Sequence, residues 1–248
     1  MKTKTNTLNI TLTGAILASA LFSSVLQAEE TTIAPESNGN FGITAKSGTL
    51  GLGVDLTYGI TPKLNARLNV NGGKINYNET KDGVYYKGDI DALTAGGLLD
   101  YHPTGGGFRI TAGLYNNNNE INLNATGEEN SSVKIGDNSY DISNASLTTN
   151  ISAKGISPYL GLGWGNAVNK EQKWNFSLDA GVLFQGSPKI KLKGKGTATE
   201  LVTGLGVDLG TNALFQENIL KEEDNLNGDV EDFKAYPVIS VGASYRFY

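Results

Sequence analysis

From residue 40 onward, apolar and polar residues alternate with period two through most of the chain. In 49–60, Leu50, Leu52, Val54, Leu56, Tyr58 and Ile60 share one face, and Thr49, Gly51, Gly53, Asp55, Thr57 and Gly59 the other. After Thr61-Pro62-Lys63, Leu64, Ala66, Leu68 and Val70 oppose Asn65, Arg67, Asn69 and Asn71. Leu93 to Tyr101 and Phe108 to Leu114 repeat the pattern, with Asp100, His102 and Arg109 on the polar side. Pro158 to Trp164, Trp174 to Phe184 and Pro237 to Phe247 supply three more alternating runs, and Phe41, Ile43 and Ala45 lead into a turn at Ser47-Gly48. Such alternation predicts half-buried strands, here eight of them.

A soluble sandwich also alternates, with its apolar face turned to an inner core. Here the polar face is rich in Gly, Ser, Thr and Asn, which suit the cramped interior of a narrow barrel whose aliphatic face meets lipid. Connection lengths agree: short turns at 61–63, 103–107 and 166–172 alternate with long polar links near 78–86, 116–149 and 187–234. Short periplasmic turns and long outer loops are the asymmetry of outer-membrane barrels. Tyr58, Tyr101, Trp164, Trp174 and Tyr245 fall near the short-turn ends, as an interfacial aromatic belt requires. The expected fold is therefore an all-β, transmembrane antiparallel β-barrel spanning 40–248. Gly-Leu-Gly-Val-Asp-Leu at 51–56 recurs at 204–209. The copy fits either a hairpin outside an eight-stranded barrel or one of two further strands, with 189–195, in a ten-stranded one. The segment 213–227 reads as a short helix in the last long outer loop, with Leu214, Ile219 and Leu226 set among acids.

The start of the chain adds an address. Lys2 and Lys4 precede the largely apolar stretch Ile10–Leu26, and a small residue, Ala28, stands before Glu29-Glu30. Charged start, apolar middle and small end predict a signal peptide over 1–28, followed by a short periplasmic segment at 29–39. An uncleaved anchor helix is the alternative, because the apolar stretch reaches the lower limit for spanning. Removing two lysines changes the formal charge from −5 to −7, with 18 basic against 25 acidic residues. That charge points away from nucleic acid as a partner. The chain has no cysteine and one histidine, which excludes disulfides and thiolate sites and leaves no basis for a multi-histidine metal centre. No cofactor or metal is expected.

By strand parity Asp55, Arg67, Asp100, His102, Arg109, Asp179 and Arg246 point into the lumen, toward its periplasmic half. Charges in such a space should pair, because an unpaired buried charge is costly. Their cluster reads either as a structural plug or as a selectivity filter whose charges part for a charged or zwitterionic solute. His102 stands beside Pro103 at a periplasmic turn, the wrong end for chemistry on outer-leaflet lipid, so the chain is not expected to be an enzyme. Lys189, Lys191, Lys193 and Lys195 line one face of a predicted strand. They suit lipopolysaccharide phosphates or acidic solutes, or else keep an exposed strand edge soluble. Glu217, Glu222, Glu223, Asp224, Asp229, Glu231 and Asp232 would form an acidic outer mouth that concentrates cations. Glu223-x-Asn225-x-Asn227-Gly228 is faintly like a calcium loop, but Lys234 stands where the bidentate Glu belongs.

Several phrases in order carry a family resemblance: Gly48-Thr49-Leu50-Gly51-Leu52-Gly53, Asn71-Gly72-Gly73-Lys74-Ile75, Pro158-Tyr159-Leu160-Gly161-Leu162-Gly163-Trp164 and Phe184-Gln185-Gly186-Ser187-Pro188-Lys189, with the acidic helix before Pro237. Over roughly 40–248 the chain resembles the CarO-type eight-stranded outer-membrane barrels. The resemblance implies an outer-membrane location and slow, selective passage of small solutes, with basic amino acids such as ornithine as candidates. A closed structural or adhesive barrel working through its outer loops is the alternative. The aromatic end of the last strand, Phe247-Tyr248, resembles the signal read by the barrel-assembly machinery. Outer-membrane lipids and lipopolysaccharide complete the expected partners. The insertion near 197–210 and the Phe-Tyr terminus depart from the family pattern.

Overall fold

The computed structural model describes residues 41–81, 84–127 and 131–247. The expected signal peptide and periplasmic segment, 1–39, lie outside them. In chain order the first strands are β1 (Phe41–Gly48), β2 (Gly51–Thr61), β3 (Leu64–Lys81), β4 (Val84–Tyr101) and β5 (Phe108–Gly127). Next come β6 (Ser132–Ile135), β7 (Asn138–Asp141), β8 (Ala145–Trp164), β9 (Trp174–Phe184), β10 (Lys189–Glu200) and β11 (Gly206–Asp208). The helix α1 (Ala213–Val230) and the strand β12 (Ala235–Arg246) complete the chain.

Eight of these strands close a ring, β1-β2-β3-β4-β5-β8-β9-β12 and back to β1, antiparallel at every step. Closure satisfies the inter-strand backbone groups, the condition for crossing a bilayer with strands. The apolar parity faces outward around the ring: Leu52, Leu68, Ile156 and Phe176 are 64%, 64%, 69% and 82% exposed. Such a band is stable only against lipid, and Trp174 tilted against Tyr245 (ring centroids 5.0 Å apart) marks its rim on the side of the short turns. The chain forms a closed β-barrel with an apolar band around its outside.

Two expectations need correction. The links near 78–86 and 116–149 are mainly strand, because β3 and β4 stay paired as far as Lys81 and Val84, and β5 and β8 as far as Thr126 and Ser146. A membrane crossing needs about 9–11 strand residues, whereas β3, β4, β5 and β8 have 18 to 20. The excess stands outside the bilayer, where both faces meet water or protein and the lipid-facing alternation that marks a strand disappears. The 187–234 link is likewise structured, and α1 runs three residues past the expected end at 227.

The strand β8 has two partners on one edge. Its lower part, Tyr159–Trp164, pairs with β9, and its upper part, Ala145–Ser152, pairs with β10. Thus β10 takes over the place of β9 above the membrane. The repeated motif at 204–209 adds no membrane strand, since β11 pairs only with Thr197, Ala198 and Thr199 of β10. The barrel has eight strands and the copy is a hairpin outside it.

Above the membrane, Leu147 and Ile151 keep the parity that faces the lumen lower down, and with Ile190 and Leu192 they form an apolar floor for α1. Phe215, Ile219, Leu226 and Val230 of the helix pack on it, together with Val133, Ile135 and Tyr140 of the β6–β7 hairpin. Asn212 caps α1 by accepting a hydrogen bond from the Phe215 amide at 3.0 Å. The helix also closes the free edge of β10. Asn227 accepts from the Ile190 amide (2.8 Å) and donates to its carbonyl (3.1 Å), and Glu223 accepts from the Leu192 amide at 2.6 Å. An open edge is thereby covered.

Candidate functional site: the charged lumen

The inward parity of six strands places one charge network inside the ring. Arg67 on β3 donates to Asp55 on β2 at 3.1 Å and to Asp100 on β4 at 2.9 Å, and lies 3.7 Å from Asp179 on β9. Arg109 on β5 donates to Asp179 at 2.7 Å and to the Gly165 carbonyl, and its Nε stands 3.7 Å from Asp100. Lys46 on β1 adds a third cation, 3.0 Å from Asp55. Three acids and three bases therefore balance, and each side chain is 8% exposed or less. Thr111 donates to Asp100 at 2.6 Å and Asn69 donates to Asp55, so the carboxylates are also held by neutral donors.

Five of the expected lumen residues, Asp55, Arg67, Asp100, Arg109 and Asp179, thus come together, and two do not join. His102 faces inward but lies below the network, where one ring nitrogen meets Asn65 at 3.1 Å and the other the Gly106 carbonyl at 2.9 Å. Arg246 pairs in register with Gly42 at the periplasmic end and is half-buried, so it sits at the mouth and not in the cluster. Lys46 is the residue that sequence reasoning missed. The signal is there, because Lys46 follows Phe41, Ile43 and Ala45 with the opposite parity, but the alternation read from the sequence stops one residue short of it.

Above the charges lies a less polar layer. Tyr115 and Tyr159 meet edge to face (5.6 Å, 79°) and pack with Leu50, Leu98, Leu183 and Val238, all buried. Thr94 and Asn117 beside them are completely buried. Glycines of neighbouring strands make the room. A Cβ at Gly96 would come within 2.7 Å of the Tyr115 ring, one at Gly181 within 2.5 Å of the Tyr159 hydroxyl, and one at Gly163 within 2.9 Å of both Arg109 and Asp179. Large and small residues alternate around a narrow interior. A cavity of about 10 Å³ lies beside Asp55, Arg67, His102 and Arg109, enough for about one water. Gly163→Val is therefore expected to destabilise the barrel by about 1–3 kcal/mol or more through overpacking. Urea unfolding followed by fluorescence of Trp164 and Trp174 measures it.

The remaining expected sites lie outside the membrane. Lys189, Lys191, Lys193 and Lys195 are all exposed on the outward face of β10. The seven acids do not form a common mouth. Glu222 and Glu223 are partly buried and bonded to the Gly136 and Leu192 amides, and the other five are exposed along and just beyond α1. The calcium-like stretch 223–228 is helical, with Asn227 and Glu223 bonded to β10, so it does not form a chelating loop. Glu200, at the outer end of β10, accepts from the Thr203 hydroxyl and from the Thr203 and Val202 amides, which hold its carboxyl below the usual range.

Two solved structures share this architecture. CarO2 of Acinetobacter baumannii is 24% identical, covers 84% of this chain and 98% of its own, and superposes with a TM-score of 0.56. CarO of the same organism gives 24% identity, 83% and 97% coverage and a TM-score of 0.55. A major outer membrane protein of Thermus thermophilus is more distant, at 18% identity and a TM-score of 0.43, with 84% and 98% coverage. No protein-family model matches the sequence, and no curated protein does. This chain has the fold of the CarO barrels.

Proposed function

We propose that the protein is a closed outer-membrane barrel that anchors and presents its outer layer of strands and helix at the cell surface, and that it is not an enzyme. The filled lumen supports this reading: six mutually paired charges lie under a layer of buried Tyr and Leu side chains, and the cavity beside the charges has space for about one water. An eight-stranded barrel has an interior just wide enough for side chains to fill. Slow passage of small solutes, basic amino acids such as ornithine among them, is a second reading. One observation favours it: the plug is ionic, whereas well-packed apolar side chains fill a core at least as stably. Swelling of liposomes holding the refolded barrel separates the two. Glycine, ornithine and glutamate are expected to give no swelling above empty liposomes while heat-modifiability proves the barrel folded. Swelling that favours ornithine would overturn the closed reading and establish the second.

A further inference from the structure

Four lysines on β10, Lys189, Lys191, Lys193 and Lys195, point outward from the wall and form no ion pair among the described residues. Other lysines on the same outer face do have one: Lys74 pairs with Asp91 at 2.7 Å, Lys87 with Asp89 at 3.7 Å and Lys154 with Glu120. The neighbours of the β10 lysines across the ladder are neutral, namely Ser152, Asn150, Thr148 and Ser146. A single strand thus carries four lysines that form no ion pair among the described residues, beside a row of hydroxyl and amide groups.

Its height on the barrel identifies what it faces. On β9 the lipid-facing residues end with exposed Phe184, and β10 begins at Lys189 on the same wall. On the adjoining β8, exposed Ile156 is followed outward by Lys154 and then by Ser152, the register partner of Lys189. The lysines therefore begin where the apolar band stops and, at about 6.6 Å for every second residue, extend about 20 Å along the tilted strand beyond it. Phosphate groups of the outer leaflet lie at that boundary, and basic clusters beside a membrane surface bind anionic headgroups. The inner face of the same strand, Ile190 and Leu192, is packed under α1, so the row is held in register and cannot turn away.

We propose that the lysine face of β10 is a binding site for the phosphate groups of the outer-leaflet glycolipid, with the Ser, Asn and Thr side chains of upper β8 positioned beside the sugars. The site is independent of whether the lumen conducts. The test uses the full barrel in detergent, titrated with bisphosphorylated lipid A and followed by native mass spectrometry. A variant with Lys189→Gln, Lys191→Gln, Lys193→Gln and Lys195→Gln is compared with a control carrying Lys63→Gln and Lys170→Gln at the periplasmic turns. Each outer lysine removed is expected to weaken binding about five-fold, a loss of several hundred-fold for all four. The control should bind as wild type, and raised salt should weaken binding. Dephosphorylated lipid A should bind as poorly as the quadruple variant does to the intact lipid. Equal binding of the two lipids, or an unchanged quadruple variant, would overturn the proposal. Displacement of lipid A by equimolar inorganic phosphate would show a free-anion site and overturn the lipid assignment. Heat-modifiability of each variant confirms folding, and single Lys→Gln variants replace the quadruple one if it fails to fold.

Discussion

Replacing Arg67 with methionine is expected to destabilise the barrel by about 3–5 kcal/mol, because it leaves carboxylates buried beside too few cations. Arg67 is the hub of the plug, within 4 Å of Asp55, Asp100 and Asp179. Lys46 and Arg109 remain, but Asp100 would keep only the Thr111 hydroxyl and a distant Arg109 Nε. Equilibrium unfolding in urea measures the loss. Adding Asp100→Asn to the Arg67→Met variant should restore more than half of it, since the residue left behind is then neutral. Residues sharing one network couple strongly, so a double variant no more stable than the Arg67→Met single would refute the account of the plug as a charge-balanced unit. The same variants placed in liposomes report whether the plug also governs flux.

The second large effect is expected far from the lumen. Phe215, on the inner face of α1, is fully buried and meets Tyr140 edge to face at 5.2 Å and 84°. Truncation of a buried phenylalanine costs about 3–5 kcal/mol. Phe215→Ala should therefore loosen α1 from β10 and the β6–β7 hairpin, and protease should cut within 201–234. The barrel below has its own core around Tyr115, Tyr159 and Leu183 and should stay heat-modifiable. Loss of barrel and outer layer together would mean that the two cores fold as one unit. Local opening of one cooperative unit while another persists is the usual behaviour of separately packed regions.

Much of the barrel was legible because period-two alternation is a local property. A strand with lipid on one side and a crowded lumen on the other must alternate, so Leu52, Val54 and Leu56 announce a wall without any knowledge of its neighbours. The same parity placed Asp55, Arg67, Asp100, Arg109 and Asp179 inside. It failed above the membrane, where β3, β4, β5 and β8 continue without lipid against them and their polar sequences read as loops.

By itself, then, the sequence determined the class of fold and the inward parity of Asp55, Arg67, Asp100, Arg109 and Asp179, since each depends on residues a few positions apart, while the choice between eight and ten membrane strands waited for the pairing of β11 with β10. Tertiary structure alone decided which charges meet. Arg67 on β3 reaches Asp179 on β9 only across the closed ring, Arg109 reaches Gly165 through the register of β5 on β8, and the register of β1 on its neighbours brings Lys46 in while Arg246 is left at the mouth. It also decided that β10 replaces β9 above the membrane, and that Glu223 and Asn227 bond a strand edge rather than face solvent. Register, stagger and helix docking join residues far apart in the chain, and no local pattern encodes those distances.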